Sequence, residues 1–121
     1  QPRSRGLGDV YKRQGGSLLG ALPKGNVLII DDVVSSGLAI REALTFLSNY
    51  DVNVAGALVT LDRQEKGQNS NLMASSELAN EGLVVHSIIS LDDLLDADEI
   101  IDESVIQSIR NYRDKFRGED V

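Results

Sequence analysis

The chain has no cysteine, no tryptophan, a single histidine, a single methionine and two prolines among its 121 residues. Without cysteine there is no disulfide, no thiolate nucleophile and no cysteine-built zinc site, and His86 alone cannot make a histidine-rich metal centre. Aromatic residues are scarce at 4%, while apolar residues reach 41%. The core is therefore aliphatic, and large enough for one small domain or part of a larger one. Positive charge is also in deficit, since 12 Lys and Arg stand against 19 Asp and Glu for a net charge of −7. That balance argues against a surface for the DNA or RNA backbone and suits a solvated acidic exterior. No apolar run approaches the roughly 20 residues that cross a bilayer, and no signal-peptide pattern is present. The expectation is a cytoplasmic protein with neither nucleic acid nor membrane as partner.

Residues Gln1–Gln14 are basic, lack a sustained apolar period and begin without Met. They read as a foreign or read-through tail, which leaves 15–121 as the domain. Gly15-Gly16-Ser17-Leu18-Leu19-Gly20 is a glycine-spaced turn. It is not a dinucleotide fingerprint, because no strand precedes it.

From there the pattern alternates. Pro23-Lys24-Gly25-Asn26 is a turn feeding a buried strand, Val27 to Asp31, and Ala39–Asn49 carries Ile40, Ala43, Leu44 and Leu47 at helical spacing. Val52–Leu61 is a second strand with Gly56 inside it, and Asp62–Ser70 is a polar loop. A helix spans about Leu72–Asn80 and ends before Gly82; Leu83–Ile89 is a third strand. Ser90-Leu91-Asp92-Asp93 has the form of a capping box, with Asp at its acidic position. Asp102 caps a last helix with Val105, Ile106, Ile109, Tyr112 and Phe116 on one stripe. This succession predicts an α/β fold, a parallel sheet with helices on both faces. Ligands of such sheets bind beyond the strand C-termini, where Asp31-Asp32 with Ser35-Ser36-Gly37 and Asp62-Arg63-Gln64 both fall.

Adjacent carboxylates repel unless ribose hydroxyls, a cation or other donors compensate them. Ser35, Ser36 and Gly37, opening a helix, offer N–H groups, hydroxyls and a helix dipole to a phosphate; the plainer role for Ser there is an N-cap. Arg63 suits an anionic planar substrate, the plainer alternative being a surface ion pair with Asp62 or Glu65. His86 reads as a partly buried strand residue, and Met73, Tyr50, Tyr112 and Phe116 as packing residues. Asp92, Asp93, Asp96, Asp98 and Glu99 read as a solvated face with caps.

The run Val27–Glu42 resembles the phosphoribosyl-pyrophosphate motif of the type I phosphoribosyltransferases. Leu61-Asp62-Arg63-Gln64-Glu65-Lys66-Gly67 is similar to the orotate phosphoribosyltransferase branch of that family, with support from Gly15–Gly20 and Ser87–Leu94. The likeness runs from Gly15 to about Phe116, roughly the C-terminal half of such an enzyme. It implies a truncated type I (Rossmann-like) fold. It also implies phosphoribosyl transfer to orotate, giving orotidine 5′-monophosphate and pyrophosphate with Mg2+ held mainly by the phosphoribosyl pyrophosphate. By the same resemblance Asp31 and Asp32 are the catalytic contacts to the ribose. Val33, Val34 and Ser35, Ser36, Gly37, Leu38, Ala39 bind the phosphoribosyl group, and Ser35 and Arg63 meet orotate. The family is typically dimeric. Leu38 stands where it often has Thr, and Tyr11–Gln14 stands where its mobile catalytic loop should be, so the fragment alone is expected to be inactive. Two other readings are a non-catalytic nucleotide sensor on the same fold and a phosphorelay receiver. Neither a basic surface for the first nor a Lys directly following the Leu83–Ile89 strand for the second is present.

Overall fold

Residues 20–120 are described by a computed structural model; the Gln1–Gln14 tail and most of the glycine-spaced turn lie outside them. The β-branched run at Val27–Ile30 extends in both directions into strand β1, Gly25–Val34, three residues past the predicted end at Asp31. Helix α1 follows at Leu38–Leu47, then β2 at Val52–Asp62, α2 at Ala74–Asn80 and β3 at Val85–Ser90. Two helices complete the order, α3 at Leu91–Leu95 and α4 at Glu103–Phe116.

The three strands form a parallel sheet in the order β1-β2-β3. Ile29, Ala57 and Val85 lie abreast in mid-sheet, and Val34, Asp62 and Ser90 lie abreast at its C-terminal end. A bulge between Val27 and Leu28 shifts the β1–β2 register. Gly56 follows it for a steric reason, since a Cβ there would stand 3.1 Å from the Val84 carbonyl oxygen.

Ile40 of α1 and Ala74 and Leu78 of α2 share one core with Val34, Ala57, Val59 and Leu83. The expected cover on both faces is therefore met on one face among the described residues. The reason is topological. The two crossovers step across the sheet in the same direction, and right-handed connections of that kind place both helices on the same side. On the other face Leu28 is exposed, and Ile30 and Ile88 are 71% and 70% accessible. His86, expected to be partly buried, is exposed there too.

Helix α3 starts with the capping box read from the sequence. Ser90 Oγ accepts from Asp93 N–H at 3.2 Å, and Ser90 N–H donates to Asp93 Oδ2 at 2.8 Å. Asp102 caps α4, and the Ser104 hydroxyl and N–H hold its carboxyl below the usual carboxylate range. The apolar stripe of α4 is only partly covered. Ile106 is fully buried, but Val105 and Phe116 are exposed. Helix α2 begins two residues later than predicted, because the backbone of Leu72 and Met73 is engaged elsewhere: Leu72 C=O accepts from Gly67, and Met73 N–H donates to Glu119.

Candidate functional site

At the C-terminal end of the sheet the two polar clusters meet through the backbone. Val34 pairs with Asp62, and the next N–H, that of Arg63, donates to Val34 C=O at 3.0 Å. Two stretches nearly thirty residues apart in sequence thus form neighbouring walls of one surface.

On the first wall Asp31 and Asp32 are still part of β1, so the pleat sends their side chains to opposite faces and separates their charges. Asp31 is half-buried on the side of Ile29, and Asp32 is exposed on the side of Ile30. Each carboxylate accepts one main-chain N–H, Asp31 Oδ1 from Asp32 at 2.9 Å and Asp32 Oδ1 from Val33 at 2.8 Å. The turn beyond holds half-buried Ser35 and Ser36 and buried Gly37. The N-cap of α1 is Gly37, at φ 88° and ψ 4°, a left-handed conformation that favours glycine. No side chain caps this helix, and its first turn carries no acid. The ordinary serine cap is therefore not what Ser35 and Ser36 provide. The N-terminal N–H groups of α1, with Leu38 exposed beside them, have no side-chain acceptor, and such a helix start is suited to an anion. Behind the turn, a Cβ at Gly37 would already touch Leu78 Cδ1 and Ala74 Cβ of α2, at 3.4 and 3.5 Å.

The second wall begins with buried Asp62, whose Oδ1 accepts the Gln64 N–H at 2.8 Å. Gln64 takes a left-handed φ of 57°, uncommon for a residue with a side chain, and its Oε1 accepts Asp92 N–H at 2.9 Å. Arg63 Nε pairs with Glu65 Oε2 at 2.8 Å, and Arg63 Nη2 donates to the Tyr112 hydroxyl. That hydroxyl donates to Glu65 Oε2, and the guanidinium carbon stands 5.0 Å from the centre of the Tyr112 ring. Arg63 is thus in the ion pair with Glu65 that the sequence offered as the plainer alternative, while its side chain stays 36% accessible.

Two devices hold this loop. Glu77 of α2 is buried, and its carboxylate accepts from Gln68 N–H, Asn69 N–H and the Ser70 hydroxyl at 2.9, 3.0 and 2.6 Å. It also pairs with Arg41 Nη2 at 2.7 Å, which ties the loop to α1. Burial alone would push the Glu77 pKa up; the bonds from Ser70, Asn69, Arg41 and Gln68 outweigh it and hold the group below the usual range. The second device is the last residue of α4 with the segment after it. Lys66 N–H donates to Phe116 C=O, Gly118 N–H to Gln64 C=O, Glu119 N–H to Asn71 C=O and Met73 N–H to Glu119 C=O. Only glycine fits at 118, since a Cβ would lie 2.6 Å from the Met73 backbone. Arg117 also reaches Asp92 at 2.7 Å and holds that carboxyl below its ordinary pKa.

Glu77 and Gly118 are absent from the residues singled out in the sequence, where Glu65 figures only as an alternative partner for Arg63. Glu77 carried a faint signal, as an acid between Ala74 and Leu78 on the apolar face of α2. Tyr112 is visible in sequence only as one member of a packing stripe.

This end of the sheet brings together the uncapped start of α1, the carboxylates of Asp31 and Asp32 on either face of β1, and an arginine held by Glu65 and Tyr112. It suits a ligand with a phosphate, hydroxyl donors and a second, flat anionic group. Among the described residues no group of three His, Cys, Asp or Glu side chains converges on a point where a metal ion would sit.

Comparison with known proteins points the same way. The family model described as "Phosphoribosyl transferase domain" matches residues 5–83. The chain is 39% identical over 109 residues to the orotate phosphoribosyltransferase of Proteus mirabilis and 42% over 106 residues to that of Pseudomonas syringae, covering 85% of this chain and 49% of each relative. The crystal structure of orotate phosphoribosyltransferase from Francisella tularensis superposes with a TM-score of 0.61 at 28% identity, over 77% of this chain and 47% of that one. The chain spans about half the length of the curated relatives it matches.

Proposed function

Since the chain belongs to the phosphoribosyl transferase domain family, we propose that the full-length protein carrying it transfers the phosphoribosyl group of phosphoribosyl pyrophosphate to orotate. The products are orotidine 5′-monophosphate and pyrophosphate. The observation that carries this reading is the Arg63 N–H to Val34 C=O bond, which sets the two clusters side by side at the strand ends. One cluster suits the phosphoribosyl donor and the other the flat acceptor.

In this reading the N–H groups of Ser35 to Ala39 take the 5′-phosphate at the uncapped start of α1, where the helix dipole favours the anion. Asp31 and Asp32, with Val33 and Val34 beside them, accept from the ribose hydroxyls. Their charge favours the positive character that develops on the ribose as pyrophosphate departs. Ser35 lies against orotate and Arg63 holds it. No covalent nucleophile is required; catalysis rests on position and electrostatics. Mg2+, when bound, would supply positive charge to the departing pyrophosphate, and in this reading it is held mainly by the donor substrate. A homodimer and a cytoplasmic location complete the proposal. Among the described residues no helix is long and apolar enough to cross a membrane.

Steady-state kinetics on the full-length protein carrying this sequence test the assignment. Turnover of orotate, with Arg63→Ala raising the orotate KM about tenfold or more and sparing the KM of the donor, is the expected result. Turnover of hypoxanthine or uracil in place of orotate would overturn it. The 121-residue chain assayed by itself is expected to show no turnover.

A further inference from the structure

Arg63 is held on three sides before any ligand arrives. Its Nε faces Glu65, its Nη2 faces the Tyr112 hydroxyl, and its guanidinium carbon lies over the Tyr112 ring, 5.0 Å from the centroid. A guanidinium has five N–H donors on two usable edges. The side edge, made of Nε and Nη2, is committed to Glu65 and Tyr112. The end edge, which contains Nη1, has no partner among the described residues. Glu65 in turn receives the Tyr112 hydroxyl at 2.5 Å, so the three side chains close a ring of contacts.

We infer that Tyr112, acting with Glu65, is a positioning residue for the acceptor. It reserves the end edge of Arg63 for a planar carboxylate and fixes the plane in which that carboxylate is met. Tyr112 does not touch the substrate; it acts through Arg63. Its place is set in turn by the end of α4 and the segment after it, whose backbone is bonded to Gln64, Lys66, Asn71 and Met73. This inference rests on the assignment of Arg63 to orotate.

The decisive experiment compares Tyr112→Phe, Arg63→Ala and the double variant in the full-length protein carrying this sequence. The phenylalanine keeps the ring under the guanidinium and removes only the hydroxyl. Tyr112→Phe is expected to raise the orotate KM by about five- to tenfold and to leave the KM of the donor unchanged. It should also lower the preference for orotate over uracil, which lacks the carboxylate. In the Arg63→Ala background the same change should do nothing further, because a residue that acts through Arg63 has nothing left to position. Glu65→Gln, read in the same way, supplies a second variant should Tyr112→Phe fail to fold by thermal melting. If Arg63→Ala impairs orotate use but Tyr112→Phe does not, or if the two effects simply multiply, the positioning role is overturned and the orotate assignment stands. If Arg63→Ala leaves orotate kinetics unchanged, both fall together.

Discussion

Glu77 uses both carboxylate oxygens inside the protein, on two loop N–H groups, a hydroxyl and Arg41. Removing one partner of a buried charge pair strands the other partners. Glu77→Ala should therefore cost about 3–5 kcal/mol, read by chemical denaturation. The sign of its pH dependence follows from the depressed pKa. The unfolded state binds the proton more readily than the folded one, so the contribution of Glu77 is complete above the ordinary carboxylate value. It is lost as pH falls below that value toward the folded pKa. Acid titration of stability should show this loss, and Glu77→Gln should flatten it. At the residue scale the sequence was only half legible. Asp31, Asp32, Ser35 and Arg63 stood out because strand ends and a glycine turn mark where ligands bind in parallel sheets. Glu77 and Tyr112 did not, because their partners are distant in sequence, 36 positions for the Arg41 bond and 49 for the Arg63 bond.

Helices and strands were the more legible scale. Each strand is an apolar run bounded by turn residues, and the capping box at Ser90 formed with Asp in its acidic position. Ser90→Ala should lower stability by about 1 kcal/mol, measured by thermal melting. The start of α1 was read less well. Two serines in front of a helix suggest a side-chain cap, yet the cap is Gly37 in a left-handed conformation, with no side chain bonded to the helix end. Gly37→Ala should cost about 1–2 kcal/mol in stability. It should also weaken binding of the phosphoribosyl donor more than binding of orotate, as isothermal titration of the full-length protein would show. The helix-start at α2 was misplaced for a different reason. Its first expected residues lend their backbone to the segment around Glu119, distant in sequence.

For the whole molecule, the class of fold followed from the alternation of strand and helix, but the side on which the helices lie did not. That depends on strand order, which periodicity does not encode. The outcome is a sheet with α1 and α2 on one face and Leu28, Ile30 and Ile88 accessible on the other. Uncovered apolar surface of this kind promotes association. The chain by itself should sediment above its monomer mass. Ile30→Lys with Ile88→Lys should return it toward the monomer; an unchanged sedimentation profile would count against the face as the cause.

The segment after α4 has a consequence in time as well as in space. Arg63 precedes Tyr112 by 49 positions, so the groups that orient it and brace its loop are made well after it. A chain emerging from the ribosome can assemble the phosphate turn as soon as α2 packs behind Gly37. The arginine wall stays unbraced until synthesis has passed Glu119. Closing so long a loop also delays the contact in refolding. The phosphate wall should mature first in every newly made copy, with the acceptor wall following once Glu119 has been made.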